Sequence, residues 1–582
     1  MGKTFYTSER AQQILIQLLK EHDIHRIIAS PGTTNLTFVA SLQVDSFFTV
    51  YSSVDERSAA YMACGMAAET GEPVVITCTG ATASRNYMPG MTEAYYSKLP
   101  VLAVTANSGI QNRGHLIAQQ LDRSRIPVDV ANLSIDIPVV KDDTDAWLCN
   151  VNVNRALLEL RRNGGGPVHI NLSTTYSNDF TCKELPKQRV IRRLYSYDEF
   201  PELQNRKTAI FLGRHHDFDA EETKAIENFC SCYNAVVFGD HSSGYYGKYF
   251  MSYSAVLMQS AHEDTRYFDV MIHLGEVSGD YPSMGLQPKE VWRVSPDGEV
   301  KDPFHKLTYI FEMSCMEFFT KISKGLSTVP TTYYEECIKA YNEVENLIPE
   351  LPFGNIWIAR YLSTKIPAGS EVHLGILNTL RSWNLFQTSN NVRFRCNVGG
   401  FGIDGVMSTT IGASLINPDR IFFCFIGDLA FFYDLNSIAN RHVGSNLRIM
   451  LINNGRGTEF TNYGHLGHMF GKDADPYIAA AGHFGNKSQS LIRHFAQDLG
   501  FQYIEAKNKE EFIDAAPSFL STEPMDSPIV FEVFTDSTDE SDALEIMHKL
   551  KTAPPSKNMR IKSAVRNIVG DSTIDFVKKF IR

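Results

Sequence analysis

The chain of 582 residues lacks two features that would assign it to common classes of protein. It has no run of about eighteen apolar residues, which a membrane-spanning helix requires. It also has no excess of basic residues, since 55 Lys and Arg stand against 66 Asp and Glu, a formal net charge of -11. Nucleic acids and anionic membranes bind clustered cations, so neither is expected as a partner.

Cysteine motifs, a signal peptide and short repeats are missing as well. The ten cysteines are scattered, and only Cys230 and Cys232 lie close together, without the second pair that a zinc finger needs. We interpret them as buried free thiols. The N-terminus lacks the charged and then apolar profile of a secretory signal, so a cytoplasmic location is expected. No short-period repeat is visible, which argues against a solenoid.

What is present is an alternation of amphipathic helices and short apolar strands. A helix over 11–19 is followed by strands at 26–29, 74–77 and 101–105. Further strands are predicted at 209–212, 235–238, 270–274, 421–426, 448–452 and 529–533. Strands that alternate with helices form parallel sheets covered on both faces. The sequence therefore predicts an α/β protein with three doubly wound parallel-sheet domains.

The predicted domains are separated by two linkers. We place the domains at 1–181, 201–330 and 352–550. The linkers are a charged segment at 182–200 and a helical bridge at 331–351, and a tail with a short helix follows at 551–582. No glycine-rich dinucleotide fingerprint is visible between Ala209 and Gly244, so we expect no flavin in the middle domain.

Two polar stretches follow apolar strands in the last third of the chain. Strand 421–426 runs into Gly427-Asp428-Leu429, and strand 448–452 into Asn453-Asn454-Gly455-Arg456. Parallel strands end at one edge of a sheet, where ligands bind, so both stretches are expected to meet there. We expect a helix from about Tyr433 to Arg441 between them. One carboxylate with an amide and a backbone carbonyl suits Mg²⁺ that shares its ligands with a diphosphate.

A further carboxylate, Glu56, begins a helix rich in small residues in the first third, directly after a strand at 50–54. Taken alone, Glu56 is an acidic group favourably placed near a helix N-terminus. Taken alone, the Gly-Asp and Asn-Asn stretches are more typical of ordinary strand-end turns. The order of all three along the chain is the more specific signal.

That order resembles the signature of thiamine-diphosphate-dependent enzymes. The resemblance implies that Asp428, Asn454 and the carbonyl of Arg456 hold Mg²⁺. It implies that Glu56 hydrogen-bonds the aminopyrimidine of thiamine diphosphate and promotes the imino tautomer that deprotonates the thiazolium carbon. In this family the coenzyme lies between the first domain of one subunit and the third of another. A homodimer or homotetramer is therefore expected, with the first domain binding the pyrimidine and the third the diphosphate.

Four stretches resemble one branch of the family more closely, the synthases of menaquinone biosynthesis. They are 30–34, 55–60, 397–405 and 427–429 with 433–436. The resemblance implies that Ile403 bends the coenzyme into its V shape. Together with Glu56, the coenzyme contacts that it implies are Asn378, Thr379, Gly402, Ile403, Gly427, Asp428, Leu429, Asn454 and Phe460.

The chain departs from this branch at basic side chains that hold substrate carboxylates. Thr34, Ser108, Asp280 and Val398 stand where the branch has Arg or Lys. Charge-assisted and bidentate contacts of that kind are hard to replace. We therefore expect decarboxylation of a 2-oxo acid and transfer of the acyl-anion equivalent to an acceptor, with a different substrate pair. The alternatives are the menaquinone-pathway reaction of 2-oxoglutarate with isochorismate, simple decarboxylation, and a non-catalytic protein of the same fold.

Polar side chains near the expected strand ends are candidates for contacts with the substrate. Relatives place a Gln or His beside the reacting carbon, which makes His115 and Gln119 catalytic candidates here. His465 lies in a glycine-containing loop that is suited to cover the site and move protons. The remaining substrate candidates are Thr33, Thr34, Asn35, Arg85 and Asn86.

Overall fold

The computed structural model describes residues 5–122, 126–259, 264–482 and 488–551. Most of the predicted tail lies outside these ranges. The chain divides into two compact units, Met1–Pro201 with Glu290–Ser314 and Glu202–Lys289 with Cys315–Arg582. Three sheets with helices between their strands confirm the predicted α/β fold. Within the described ranges, no helix is long and apolar enough to cross a membrane.

The first sheet has six strands in the order β2-β1-β3-β4-β6-β5, and all neighbouring strands are parallel. Its strands are β1 (Arg26–Ala29), β2 (Thr49–Ser52), β3 (Val74–Thr79), β4 (Val101–Asn107), β5 (Leu133–Ile137) and β6 (Val168–Ser173). Its helices are α1 (Arg10–Glu21), α2 (Leu36–Gln43), α3 (Glu56–Thr70), α4 (Thr82–Asn86), α5 (Met88–Tyr96) and α6 (Asp143–Glu159). Ile27 and Ile28 pack into separate apolar clusters, because alternate residues face opposite sides of a strand.

The second sheet has seven strands in the order β10-β9-β8-β11-β12-β13-β7. They are β7 (Arg192–Leu194), β8 (Thr208–Leu212), β9 (Val236–Gly239), β10 (Phe250–Met251), β11 (Tyr267–Leu274), β12 (Gln287–Val294) and β13 (Leu307–Phe311). The helices are α7 (Ala220–Tyr233), α8 (Ser254–Leu257), α9 (Cys315–Ile322) and α10 (Thr332–Asn346). The segment 182–200 is therefore more than a linker, because its strand β7 pairs with β13. Helix α10 occupies the predicted bridge.

The third sheet has six parallel strands in the order β15-β14-β16-β17-β19-β18. They are β14 (Glu371–Leu374), β15 (Arg393–Cys396), β16 (Phe422–Gly427), β17 (Leu447–Asn453), β18 (Gln502–Ala506) and β19 (Ile529–Phe534). The helices are α11 (Asn355–Leu362), α12 (Asn378–Trp383), α13 (Val406–Ile416), α14 (Asp428–Tyr433), α15 (Leu491–Asp498), α16 (Lys509–Phe519) and α17 (Ser537–His548).

The helix expected from Tyr433 to Arg441 is wrong in its bounds. Helix α14 already begins at Asp428 and ends at Tyr433, and a 3₁₀ helix over Leu435–Ala439 follows. Asp434 interrupts the helical run because its carboxylate accepts hydrogen bonds from the amide and the hydroxyl of Ser408, at 2.7 and 2.6 Å.

The first and third sheets share one strand order. In each, the first strand lies between the second and the third, so the chain changes direction beside the first strand. The carboxyl ends of the strands at such a switch point form a crevice where ligands bind. Segments that follow β14 and β16 therefore occupy the binding position of the third sheet.

Candidate active site

Asp428 lies at the carboxyl end of β16, a strand whose first five residues are buried. Only 6% of Asp428 is exposed. Its Oδ1 accepts a hydrogen bond from the amide of Leu429 and its Oδ2 one from the amide of Gly455, both at 2.8 Å. Burial raises the pKa of this carboxyl to about 7 in spite of those bonds, and the charge of Glu532 adds to the rise. Asp428 is therefore held rigidly in an environment that disfavours an uncompensated charge.

The Asn454–Arg456 turn lies next to this carboxylate. Strand β17 pairs with β16 up to Ile452 and ends one residue later. The amide of Arg456 donates to Oδ1 of Asn454 at 3.5 Å, and the Arg456 guanidinium pairs with Asp475 at 2.7 Å. The bond from the Gly455 amide to Asp428 joins the two strand ends. The structure thus brings together Asp428, Asn454 and Arg456, as the sequence predicts.

The donor set of this edge fits Mg²⁺. The carboxylate of Asp428, the amide oxygen of Asn454 and the carbonyl of Arg456 are hard oxygen donors, which Mg²⁺ prefers. A Cβ added at Gly427 would meet no atom within 4 Å, so there is open space beside the carboxylate. In the described ranges, no group of three or more His, Cys, Asp or Glu side chains could hold a metal ion. A cation here would therefore depend on this mixed set and on a diphosphate.

The predicted diphosphate contacts follow β14, on the other side of the switch point. Asn378 and Thr379 form the start of α12, and Leu377 before them has a φ of 61° and a ψ of -119°. Backbone in that region is strained for a leucine, and such strain concentrates at functional sites. Oδ1 of Asn378 accepts a hydrogen bond from Arg381 at 3.1 Å.

The remaining coenzyme candidates of the second unit lie in loops or at the ends of short elements, and they are partly exposed. Gly402 and Ile403 precede α13, and Gly427 and Leu429 flank Asp428. Phe460 packs edge-on against the ring of His465, with the ring centroids 5.3 Å apart. These five residues thus keep surface available for a ligand.

Glu56 is the first residue of α3, after the N-cap Asp55, whose side chain accepts a hydrogen bond from the amide of Arg57 at 2.9 Å. The Glu56 side chain is partly exposed. Its Oε2 accepts one long hydrogen bond, 3.3 Å, from Nδ2 of Asn86. Asn86, a substrate candidate in the sequence, thus contacts the predicted catalytic carboxylate instead.

Thr34 and Asn35 hold the turn after β1. The hydroxyl of Thr34 donates to the carbonyl of Ala106 at 2.8 Å, and the amide of Asn35 to the carbonyl of Ser30 at 3.0 Å. Both are buried, whereas Thr33 is exposed. Of these three candidates, Thr33 alone is therefore accessible to a ligand in the described chain.

The other candidates of the first unit differ in exposure. Arg85 donates to the carbonyl of Asp122 at 2.9 Å. His115 and Gln119 are exposed, and the backbone of Gln119 has a φ of 63°. The next residue, Gln120, is less exposed and donates from Nε2 to Oγ of Ser108 at 2.6 Å. The sequence did not single out Gln120, because residue type alone does not distinguish two adjacent glutamines.

A pocket of about 420 Å³ in the second unit adds residues that the sequence did not single out. The Arg381 guanidinium forms a two-pronged ion pair with Glu459, with distances of 2.9 and 3.0 Å. Nδ1 of His465 accepts from the amide of Gly467 at 2.9 Å, so Nε2 carries the proton of the neutral ring. The lining residues are Leu257, Met258, Tyr281, Pro282, Arg381, Glu459, Asn462, Tyr463, Gly464, His465, Ser541, Leu544, Glu545 and His548.

The residues at the four positions where the branch has Arg or Lys are buried or form hydrogen bonds within the protein. Val398 is fully buried. Asp280 is 3% exposed and accepts a hydrogen bond from the hydroxyl of Ser283. Burial raises the pKa of the Asp280 carboxyl to about 6. In the first unit, Thr34 is tied to β4, and Ser108 accepts from Gln120.

The chain is similar to known proteins over nearly its whole length. The family described as thiamine pyrophosphate enzyme, N-terminal TPP binding domain, matches residues 9–126. A protein of Bacteroides thetaiotaomicron is 31% identical over 572 residues, covering 94% of this chain and 100% of the relative. A protein of Phocaeicola vulgatus is 30% identical over 566 residues, covering 94% of this chain and 99% of the relative.

A more distant relative, from Flavobacterium psychrophilum, is 24% identical over 547 residues and covers 90% of this chain and 95% of its own. All three carry the name 2-succinyl-5-enolpyruvyl-6-hydroxy-3-cyclohexene-1-carboxylate synthase. With the match at nearly full length, the chain belongs to the thiamine-diphosphate enzyme family, in the branch that these synthases represent.

Proposed function

We propose that the protein uses thiamine diphosphate and Mg²⁺ to decarboxylate a 2-oxo acid and to transfer the acyl unit to an acceptor carbonyl compound. The observation that carries this proposal is the contrast between the two sets of site residues. Asp428, Asn454 and Glu56 match the family, and the first two lie at adjoining strand ends. At the four former basic positions, the side chains are neutral or acidic. The substrates therefore differ from a dicarboxylic oxo acid with an anionic acceptor.

In this proposal, the residues of the chain bind the coenzyme and the cation and polarise the reacting groups. Bound thiamine diphosphate would supply the nucleophilic carbon that adds to the oxo acid. It would also stabilise the electron pair that remains when carbon dioxide leaves. Asp428, Asn454 and the Arg456 carbonyl would hold Mg²⁺ against the diphosphate, next to Asn378 and Thr379. Oε2 of Glu56, oriented by Asn86, would share a proton with the aminopyrimidine.

The pocket around His465 would hold substrate. Nε2 of His465 carries a hydrogen, so it can donate to a carboxylate or carbonyl oxygen. Burial lowers the pKa of His548, which keeps that ring neutral at pH 7. Arg381 is neutralised by Glu459, and Glu545 adds a further carboxylate. A pocket with this balance favours a substrate of low negative charge over a dicarboxylate.

We further propose a homodimer or homotetramer, with residues 1–181 as the pyrimidine-binding domain, 201–330 as the central domain and 352–550 as the diphosphate-binding domain. Large apolar side chains are exposed on the first unit, among them Val54, Tyr61 and Leu116. The second unit exposes Leu466 and Met469. Exposed apolar surface of this kind marks protein contacts. Sedimentation equilibrium of the purified protein measures the assembly directly, and a monomer would contradict this proposal.

The reaction is tested by incubating the protein with thiamine diphosphate, Mg²⁺ and a panel of 2-oxo acids, with and without aldehyde and enone acceptors. Carbon dioxide release and carbon–carbon bond formation are measured separately. We expect monocarboxylic oxo acids to react and the acceptor to raise the yield of coupled product. Release of carbon dioxide without any coupling would indicate a simple decarboxylase.

A second candidate function is the reaction named for the relatives, favoured by 31% identity across 94% of this chain. It predicts robust turnover of 2-oxoglutarate with isochorismate. That result would overturn the proposal of a different substrate pair while leaving the coenzyme assignment intact.

A further inference from the structure

Two buried glutamates lie behind the Asn453-Asn454 pair. Glu532 is 1% exposed and lies on β19, the neighbour of β17. Its Oε1 accepts a hydrogen bond from Nδ2 of Asn453 at 2.7 Å, and its Oε2 one from the hydroxyl of Tyr503 at 2.7 Å. Glu532 therefore fixes the side chain with which β17 ends.

Glu540 lies on α17 and is 6% exposed. It accepts hydrogen bonds from the backbone amide and the side-chain amide of Asn355, at 2.9 and 3.0 Å, and from the hydroxyl of Thr535 at 2.9 Å. Thr535 also donates its backbone amide to the carbonyl of Asn453 at 3.1 Å, which ties this carboxylate to the end of β17. Burial raises the pKa of Glu540, and the nearby side chains of Asn355, Thr535 and Asn454 oppose that rise. A Cβ at Gly354 would come within 2.9 Å of the Glu540 carboxyl carbon, so the backbone packs closely around the group.

An ionised carboxylate only accepts hydrogen bonds, so it selects which end of an amide faces it. Beside Glu540, the Asn454 amide is therefore expected to present Nδ2, which leaves Oδ1 for another partner. In the structure, Oδ1 of Asn454 accepts a long hydrogen bond, 3.5 Å, from the amide of Arg456, whose carbonyl is a proposed metal ligand. A flipped amide would place a donor where a cation needs an oxygen.

We propose that Glu532 and Glu540 are positioning residues for the cation: Glu540 orients the amide of Asn454, and Glu532 fixes the strand end through Asn453. The proposal rests on the proposed function, since it assumes that Mg²⁺ binds at Asp428 and Asn454. Groups that orient metal ligands typically contribute about 10- to 100-fold to metal affinity. We expect a loss of that size for Glu540→Gln and of about 10-fold for Glu532→Gln, which acts through one residue more.

The test measures cation binding without turnover. Mn²⁺ is titrated into the full-length protein at saturating thiamine diphosphate, and the free ion is counted by electron paramagnetic resonance. The melting temperature of the metal-free protein is recorded for each variant. The matched control is Glu371→Gln, because Glu371 is equally buried but lies at the amino end of β14, where it pairs with His373 and Arg420. The control is expected to lower the melting temperature and to leave the Kd for Mn²⁺ unchanged.

Wild-type affinity in both variants, or an equal loss in Glu371→Gln, would overturn the proposal. If Glu540→Gln does not fold, Glu540→Asp is used instead, because it shortens the side chain by one methylene and moves the carboxylate away. A Kd for Mn²⁺ equal to that of the wild type in Glu540→Asp would also overturn the proposal. In an Asn453→Ala background, Glu532→Gln is expected to have no further effect on the Kd. Failure of the wild-type protein to bind Mn²⁺ with thiamine diphosphate would instead refute the proposed function itself.

Discussion

The first and third sheets have the same strand order, yet they hold their candidate carboxylates in opposite ways. Glu56 follows β2, an edge strand that is mostly exposed, and accepts a single hydrogen bond of 3.3 Å. Asp428 follows β16, a buried central strand, and both of its oxygens accept backbone hydrogen bonds of 2.8 Å. The position of the strand in the sheet thus decides how firmly the carboxylate is held.

This difference matches two kinds of work. A metal ligand is most effective when its geometry is fixed before the metal arrives, which the central strand provides. A group that shares a proton must meet its partner at hydrogen-bond distance in the complex, and it needs a ligand or a partner surface to complete its surroundings. Glu56, at the start of α3 and close after the edge strand β2, has room for such a partner.

The largest effect is expected for Glu56→Gln, which keeps the shape of the side chain but removes its proton affinity. We expect kcat to fall by about 10²- to 10⁴-fold, the usual contribution of acid–base catalysis. Thiamine diphosphate binding should change by less than about tenfold, because the amide of glutamine keeps a hydrogen-bonding group of the same shape beside the aminopyrimidine. Steady-state kinetics and coenzyme titration by tryptophan fluorescence measure both quantities. A variant that retains the wild-type rate would remove Glu56 from the chemistry.

Asp428→Asn tests the firmly held carboxylate of the third sheet. The amide lacks the charge that binds Mg²⁺ and offers one oxygen instead of two, so the loss of affinity should exceed the roughly 100-fold limit of an orienting group. Isothermal titration calorimetry of Mg²⁺ at saturating coenzyme measures it. The replacement removes a buried charge but sets an NH₂ group against one of the two backbone amides that donate to Asp428, so the melting temperature is recorded beside the affinity. Unchanged Mg²⁺ affinity would place the cation elsewhere.

Asp280 sharpens the comparison because it is a buried carboxylate without a proposed ligand. Its pKa is raised from the ordinary 3.8 to about 6 by burial, with the charge of Asp240 adding to the rise and the hydroxyls of Ser283 and Ser254 opposing it. The folded protein therefore binds this proton more tightly than the unfolded chain. The charged form destabilises the fold above about pH 6, and the penalty disappears as the pH falls from about 6 towards 4.

We expect Asp280→Asn to stabilise the protein by roughly 1 to 3 kcal/mol at pH 7.5 and to lose that advantage near pH 4. Thermal unfolding at a series of pH values measures the change. The control is Asp240→Asn, because Asp240 accepts hydrogen bonds from Ser242, Ser278 and Gly279 and has paired both oxygens. That variant should be destabilised. A destabilised Asp280→Asn would show that the carboxylate is needed in its charged form.

The sequence located the strands that are short apolar runs and the polar stretches that follow β16 and β17, because both depend on local pattern. Buried parallel strands are continuous apolar runs, and β16 and β17 were located within one residue at each end. The helix between them was misplaced, because Asp434 bonds to Ser408, which lies 26 residues earlier in the chain. Strand β7 was missed for a similar reason. It has three residues and exists only through pairing with β13.

The substrate candidates show the same limit. Thr34 and Asn35 are polar residues on the expected turn, yet they donate to nearby carbonyls and are buried. Whether a polar side chain at a strand end faces a ligand or the protein depends on the three-dimensional packing around it. Glu532 and Glu540 could not be recognised as site residues from the sequence, for the complementary reason that their contacts are formed only in three dimensions. Glu532 lies inside an apolar strand, and its partner Asn453 is 79 residues away in the chain.

The smallest effect is expected from Glu459→Gln, which tests whether the pocket around His465 determines the charge of the substrate. The change releases the Arg381 guanidinium from its ion pair, so a cation becomes available to a substrate carboxylate. A charge-assisted hydrogen bond contributes about 1.5 to 3 kcal/mol when fully formed, and partial exposure reduces it, so we expect kcat/KM for 2-oxoglutarate to rise about 3- to 10-fold. The same constant for pyruvate should stay within about twofold.

The matched control is Glu545→Gln, since Glu545 lines the same pocket but pairs with Lys549 rather than with Arg381. It removes the same charge without releasing the guanidinium, so its effect on 2-oxoglutarate should be smaller. An equal rise in both variants would indicate a general electrostatic effect of lost negative charge. No rise in either would mean that the substrate lies elsewhere, and Glu56 at the start of α3 would then be the guide to the reacting end of the site.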